Sequence, residues 1–122
     1  MTVQAYTLPI IQGSTLSITC AVTQGGVAFD LTGYTMAGKI RRTFSASAAL
    51  QAITCTITNA AGGLYTLSLT ATETAALTIN TTETDTNKRD NTIGVYDVEI
   101  TSGATITRIM QGTVTLSQEA TK

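Results

Sequence analysis

Apolar and polar residues alternate along most of this chain with the two-residue period of a β-strand. The clearest run, residues 14–23, places its apolar side chains on one face: Leu16, Ile18, Cys20 and Val22. Because successive side chains of a strand point to opposite faces, this run predicts a strand with one buried face. Similar runs predict strands over residues 34–42, 52–58, 64–70, 93–101, 104–110 and 113–117.

Short segments rich in glycine and aspartate separate these runs and predict turns. The pair Gly25-Gly26 can adopt positive φ without strain, which is typical of a hairpin. Asp30 and Gly33 bracket a second turn, in which the Asp30 side chain can bond to the backbone two residues further on. Gly112 is predicted to permit a bulge or a turn before the last strand.

The order of elements predicts the fold class. Thr70 followed three residues later by Glu73 fits a capping box, which predicts a short helical turn near residues 71–77. Seven or eight strands, turn signals every ~8–12 residues and almost no other helix are typical of a two-layer sandwich. We therefore expect an all-β, Ig-like antiparallel β-sandwich.

Both ends of the chain differ from the alternating region between them. Residues 1–12 are apolar but contain Pro9, which predicts an N-terminal arm or edge strand. Residues 13–117 are predicted to form a single β-sandwich domain, and residues 118–122 a polar tail. We expect residues 1–12 to pair with a neighbouring subunit and to be dispensable for folding.

The composition narrows the classes of partner. Charged residues make up 12% of the chain and the net charge is −1, against a typical charged fraction of about 25%. There is no basic stripe of the kind that binds nucleic acid, and no apolar run long enough to span a membrane. The N-terminus also lacks the pattern of a signal peptide. Neither nucleic acid nor a membrane is therefore an expected partner.

The residues that most often carry catalysis are scarce. The chain contains no histidine, which removes the commonest general base and zinc ligand. Cys20 and Cys55 both occupy apolar positions of alternating runs, so we expect buried thiols that pack as small hydrophobes, with a disulfide as the alternative. We predict no catalytic residue, no cofactor and no metal site, and hence no enzyme.

One pair of carboxylates shares a strand face. Asp97 and Glu99 stand two residues apart, a spacing that could serve a carboxylate-pair mechanism. A solvated outer face is the simpler interpretation. Asp97 is then expected to pair with Arg41, Arg42 or Arg108 on a neighbouring strand.

Seven segments, taken together and in order, carry a resemblance to a known group of proteins. They are Ile11-Gln12-Gly13, residues 30–35, Lys39-Ile40-Arg41, Leu67-Ser68-Leu69, residues 73–77, residues 96–100 and residues 108–114. This set resembles small phage virion proteins with an Ig-like β-sandwich, similar to the N-terminal domain of baseplate upper proteins and to tail-fibre-associated sandwich domains. The resemblance implies a non-catalytic virion subunit of the tail or baseplate region, assembled in the host bacterial cytoplasm as a symmetric homo-oligomer among other virion proteins.

Two alternative functions remain open at this point. One is a capsid decoration protein; the other is a host-surface carbohydrate-binding or adhesive module, which would need exposed aromatics or a calcium loop within residues 80–92. For the docking function, the candidate assembly interface combines the apolar N-terminal residues with a basic pair: Tyr6, Leu8, Ile10, Ile11, Lys88 and Arg89.

Overall fold

The computed structural model describes residues 4–46, 48–77 and 90–117, and these residues are mostly in β-strands. The strands are β1 (Gln4–Ala5), β2 (Leu8–Ile11), β3 (Leu16–Ala21), β4 (Thr23–Gln24), β5 (Val27–Ala28), β6 (Thr35–Arg41), β7 (Gln51–Asn59), β8 (Leu64–Leu69), β9 (Asp90–Ser102) and β10 (Thr105–Ser117). A single short helix, α1 (Ala71–Ala75), follows β8 in this part of the chain.

The strands form two layers that share one strand. Neighbours are hydrogen-bonded in the order β1-β10-β9-β6-β7-β8-β3, and β2 lies beside β10 next to β1. Residues 51–53 of β7 pair with β6, whereas residues 54–59 pair with β8. The sheet therefore turns from one layer into the other along β7. The chain is an all-β, Ig-like β-sandwich, and the predicted fold class is confirmed.

The core lies between these layers and is built from alternate positions of each strand. Its largest fully buried side chains include Tyr65 and Tyr96, which are 1% exposed, while Leu67 and Val98 are 0% exposed. Each fully buried side chain of this kind contributes roughly 1.5–3 kcal/mol relative to an exposed one. The side chains that the alternation predicts on the inner faces of β3, β6, β8 and β9 are thus the ones that pack between the two layers.

The helix α1 has the predicted capping box and is bonded to the turn between β2 and β3. The Thr70 hydroxyl accepts a bond from the Glu73 N–H, and the Glu73 carboxylate accepts one from the Thr70 N–H. Buried Thr74 donates its hydroxyl to the Ser14 carbonyl at 2.8 Å and accepts from the Gly13 N–H at 3.1 Å. These bonds fix the helix to the turn between β2 and β3.

The N-terminal segment is part of the core. β1 and β2 both pair with β10 in parallel, and Leu8 and Ile10 are 0% and 1% exposed. Backbone bonds from Tyr6 N–H to the Gln111 carbonyl and from Gln12 N–H to the Ser117 carbonyl extend this pairing. The burial of Leu8 and Ile10 argues against the expectation that residues 1–12 are dispensable for folding, because losing these side chains would uncover the interior.

Gly112 lies within a continuous strand and forms no turn. The extra residue of β10 is instead Ile109, between Arg108 and Met110. At the second register shift, beside Val114 and Thr115, the extra residue is Ile93 of β9. A Cβ placed on Gly112 would lie 2.1 Å from the Tyr6 carbonyl oxygen. Glycine is needed here because the N-terminal segment crosses directly against the β10 backbone.

The turn predicted around Asp30 and Gly33 is present. The Asp30 carboxylate accepts bonds from the Thr32 N–H at 2.9 Å and from the Thr32 hydroxyl at 2.6 Å. These bonds lower the pKa of the Asp30 carboxyl. Gly33 adopts a φ of 84°, in the left-handed region that glycine tolerates without strain.

Candidate docking surfaces

Charged side chains collect on the outer face of the β6–β9–β10 layer. In the register of these strands Lys39 lies opposite Asp97, and Glu99 lies opposite Arg108. Together with Arg41 they make a basic column on β6, an acidic column on β9 and a basic residue on β10. We call this surface the charged face.

The ion pair on the charged face is weak. Arg108 Nε lies 3.4 Å from Asp97 Oδ2, and the two side chains are 45% and 27% exposed. A solvent-exposed pair of this kind contributes about 0–1 kcal/mol to stability. Of the three arginines expected from the sequence as possible partners of Asp97, Arg108 is thus the one that forms the ion pair. The ion pair contributes little to stability. Arg108 and Asp97 can therefore each pair with a charged group of another protein at a small cost in free energy.

Phe44 adds an apolar element beside the charged face. Its side chain is 55% exposed and, with Lys39 and Asp97, it borders a depression of about 40 Å³. A second depression of about 200 Å³ lies over the β6 and β9 side chains. Both are smaller than the roughly 300–1,000 Å³ of typical small-molecule sites. The shape favours contact with a protein surface.

A second surface is a groove between the two ends of the sheet path. It has a volume of about 420 Å³ and runs between the N-terminal segment and β3. None of the side chains that line it is charged: Gln4, Tyr6, Ile18, Thr19, Cys20, Ala21, Thr23 and Met110. Ile18 and Cys20 point inward but are only half-buried, because the opposite layer does not cover them completely.

The backbone of β3 has one free side in the described part of the chain. There β3 pairs with β8 alone. Val22 donates its N–H to the Gly63 carbonyl, and antiparallel residues alternate in the direction of their backbone groups. The N–H and C=O groups of Ser17, Thr19 and Ala21 therefore point away from β8. We call this side of β3 the open edge.

The free side of β2 differs from the open edge. The bonds made by the Tyr6 and Gln12 N–H groups show that even-numbered residues of this segment face β10. Pro9 therefore sits on the outer side, where it offers no N–H to an added strand. Proline is a common device for preventing edge pairing. The pairing of this segment with a neighbouring subunit, which the sequence suggested, is therefore disfavoured.

The outer surface of the β3–β8–β7 layer carries hydroxyl groups in register. One row consists of Ser17, Ser68 and Thr54, and the next of Thr19, Thr66 and Thr56. Threonine suits a strand and keeps its hydroxyl available to water. Because water can bond to these hydroxyl groups, the surface of the domain is hydrated although the chain has few charged residues.

The two cysteines are free thiols, and β8 lies between them. Cys20 of β3 is opposite Tyr65 of β8, and Cys55 of β7 is opposite Leu67. Two strand spacings amount to roughly 9–10 Å, beyond the Cα separation of about 4.4–6.8 Å that a disulfide requires. Burial raises the pKa of Cys20, and it raises that of Cys55 to about 11. Both thiols are therefore protonated, weak nucleophiles at neutral pH.

The residues predicted for the assembly interface separate into three groups. Tyr6 and Ile11 are 43% and 62% exposed, and Tyr6 lines the groove. Leu8 and Ile10 are a correction: their apolar side chains point into the core and are not available to a partner. Lys88 and Arg89 lie outside the described residues.

Other surface residues were missed as interface candidates. Phe44 lies in a segment of small polar residues, where a lone large aromatic is the only sequence signal of an exposed contact. Lys39 and Arg41 are visible in the sequence as a basic spot. Their proximity to Asp97 and Glu99 depends on the β6–β9 register, which a single sequence does not reveal.

Within residues 4–46, 48–77 and 90–117, no three His, Cys, Asp or Glu side chains are close enough to hold a metal ion together. In the same residues no helix has the length and apolarity needed to cross a bilayer.

Comparisons with known proteins concern the fold. No family model matches the chain, and no curated protein matches it in sequence. Solved structures similar to it include the ZIG-8–RIG-5 IG1–IG1 heterodimer, with 12% identity, a TM-score of 0.39, and coverage of 97% of this chain and 83% of that one. Another is the NK cell receptor Nkp44, described as a triggering partner in natural cytotoxicity, with 13% identity, a TM-score of 0.43, and coverage of 98% and 100%.

Proposed function

We propose that this chain is a non-catalytic structural subunit of a bacteriophage virion, located in the tail or baseplate region as an adaptor or fibre-attachment module. It acts by docking onto other virion proteins. The observation that carries the docking function is the charged face, a shallow surface on which charged side chains lie beside the exposed Phe44. Surfaces of this kind recognise a partner by complementary charge and shape.

The phage assignment is supported by where the resembling segments lie. Lys39-Ile40-Arg41 belongs to β6, residues 96–100 to β9 and residues 108–114 to β10. These three segments supply the basic and acidic columns of the charged face. Three of the seven segments that resemble virion sandwich proteins therefore contribute to the surface best suited to docking.

The charge pattern favours a different protein as the partner of this face. If two copies stacked face to face about a two-fold axis passing through β9, the acidic column of Asp97 and Glu99 would meet its own counterpart. Like charges placed opposite one another cost several kcal/mol at an interface. The matching surface is instead expected to carry an acid–base–acid arrangement.

Charge reversal tests this function. The variants Lys39→Glu and Arg108→Glu change the charged face, while Thr54→Glu adds the same charge to the hydroxyl surface of the opposite layer. Each variant is produced in cells infected by phage that lack the native gene, and gradient-purified particles are analysed by quantitative mass spectrometry. We expect the native chain and Thr54→Glu in particles, and a loss of about tenfold or more for the two reversals.

Two outcomes would contradict the proposal. Absence of the native chain from purified particles would remove the virion function, and equal incorporation of all three variants would remove the charged face as the docking surface.

The number of copies per particle separates a tail subunit from a capsid decoration protein, since the latter follows the capsid lattice and reaches hundreds. The adhesive alternative has less support, because Phe44 and Tyr6 border different depressions and form no shared stacking platform.

A further inference from the structure

We infer that the open edge of β3 pairs with the same edge of a second copy of this chain, in antiparallel orientation, and that this contact covers the groove in both copies. The inference rests on the docking function proposed above and names a second, separate surface for it. It makes the module a two-fold dimer through β3, with the charged face of each copy left for another virion protein.

The first argument is that β3 lacks the features that normally prevent edge pairing. Its sequence, Leu-Ser-Ile-Thr-Cys-Ala, contains no charge, no proline and no glycine. Proteins usually protect an exposed edge with lysine, proline or a bulge, as Pro9 does on β2. An unprotected strand of 6 residues is a template for another strand.

The second argument concerns which chain is the partner. An antiparallel pair of identical strands is compatible with a two-fold axis, in which the same patch serves both copies. The open edge and the groove carry no charge, so a second copy presents nothing that repels. The charged face, in contrast, disfavours contact with itself. The distribution of charge thus favours contact between two identical copies at the uncharged open edge of β3.

The third argument is the incomplete cover over the inner face of β3. Ile18 and Cys20 are only half-buried, and Tyr6, across the groove, is 43% exposed. A paired copy would bring its own β3 and Tyr6 against these side chains. Apolar area removed from water contributes about 25 cal/mol per Å², so covering both grooves supplies a driving force in addition to the backbone bonds.

Two matched pairs of variants test the inference on the purified full chain. Thr19→Lys and Ser17→Lys each place a charge on the open edge. Thr56→Lys and Thr54→Lys place the same charge in the same two rows of the sheet, on β7 and two strands away from the open edge of β3. Sedimentation velocity over a range of concentrations measures association, and far-UV circular dichroism with thermal unfolding confirms that each variant is folded.

We expect the native chain, Thr56→Lys and Thr54→Lys to form dimers, and both β3 variants to dissociate with a Kd raised by at least about tenfold. A native chain that stays monomeric at every concentration overturns the inference. Equal weakening by the β3 and β7 variants also overturns it, because the hydroxyl surface would then be the contact. A third variant, Thr19→Pro, removes an N–H that points away from β8 and should also give monomers.

This test is independent of the virion assignment. A dimer that never enters phage particles would contradict the proposed function and leave the β3 contact intact. A monomeric chain that does enter particles would contradict the β3 contact alone.

Discussion

The Tyr96 hydroxyl donates a hydrogen bond of 2.7 Å to the backbone carbonyl oxygen of Tyr6. Tyr96 lies in β9, and its register partner in β10 is Gly112, the residue against which the Tyr6 backbone crosses. The Tyr6 carbonyl is therefore held between a tyrosine hydroxyl and a position without a side chain. This arrangement fixes the N-terminal segment at the point where β1 gives way to β2.

Removing the Tyr96 hydroxyl should loosen this attachment without emptying the core. For Tyr96→Phe we expect the free energy of unfolding to fall by about 1–2 kcal/mol, because the partly buried Tyr6 carbonyl loses its bond. Urea denaturation measures the change. Tyr34→Phe serves as the control, since Tyr34 is half-buried and packs its ring 5.6 Å from that of Phe29. Equal effects of both variants would contradict a special role for Tyr96.

A side chain at Gly112 should displace the N-terminal segment. Gly112→Ala would place its Cβ 2.1 Å from the Tyr6 carbonyl oxygen, a backbone atom that cannot rotate away. We expect a loss of about 1–3 kcal/mol or more, as for other overpacked sites. Gly62→Ala is the control, since the three atoms nearest to its Cβ belong to the Asn59 side chain and lie no closer than 3.1 Å. The prediction fails if thermal unfolding shows Gly112→Ala to be as stable as Gly62→Ala.

The N-terminal strand should behave as core and not as a detachable arm. Leu8→Ala removes a side chain that is 0% exposed, so we expect it to cost about 2–5 kcal/mol. Ile11→Ala alters a neighbouring side chain of the same strand that is 62% exposed, and should change stability by less than about 0.5 kcal/mol. Chemical denaturation of both variants checks this. Similar small effects at the two positions would restore the arm interpretation.

Stability should decline in alkaline solution. The pKa of Cys55 is about 11 in the folded chain, chiefly because of burial, against 9.0 for a free thiol. The unfolded chain therefore ionises first, so this contribution is complete below pH 9 and is lost as the pH rises towards 11. Burial also raises the pKa of Tyr65 and Tyr96 above 10.0, which extends the decline.

The Cys55 contribution is measured from the slope of melting temperature against pH. We expect Cys55→Ala to melt with a shallower decline than the native chain just above pH 9, whatever its absolute stability. Cys20→Ala provides a second variant, because burial raises the pKa of that thiol as well. Identical slopes for the native chain and both variants would rule out the thiols as the source.

Local sequence rules predicted the elements whose partners are close in the chain. The alternation of Leu16, Ile18 and Cys20 located β3, and the Thr70–Glu73 capping box located α1. Asp30 and Gly33 marked a turn because each has a backbone preference of its own. Such features depend on a few adjacent residues, so a single sequence reveals them.

Features that depend on distant residues were not predictable in the same way. Parallel pairing of β2 with β10 joins segments about a hundred positions apart, and nothing in the sequence of residues 8–11 indicates which strand they pair with. The irregularity between Arg108 and Met110 buries two consecutive side chains, Ile109 and Met110, which a strict two-residue period assigns to opposite faces. To predict the charged face, the register of β6, β9 and β10 would have been needed in addition to the identity of its residues.

The central claim is that the N-terminal segment pairs with β10 and protects one end of the sheet with Pro9, whereas the β3 end is left open for association. Residue-resolved amide hydrogen exchange of the native chain, in dilute solution and again at high concentration, tests it most directly. We predict that the Gln12 amide and the other amides that face β10 are protected in both samples, whereas those of Ser17, Thr19 and Ala21 exchange quickly when dilute and slowly when concentrated. Slow exchange of those three amides in dilute solution, or rapid exchange of the Gln12 amide, would contradict the account.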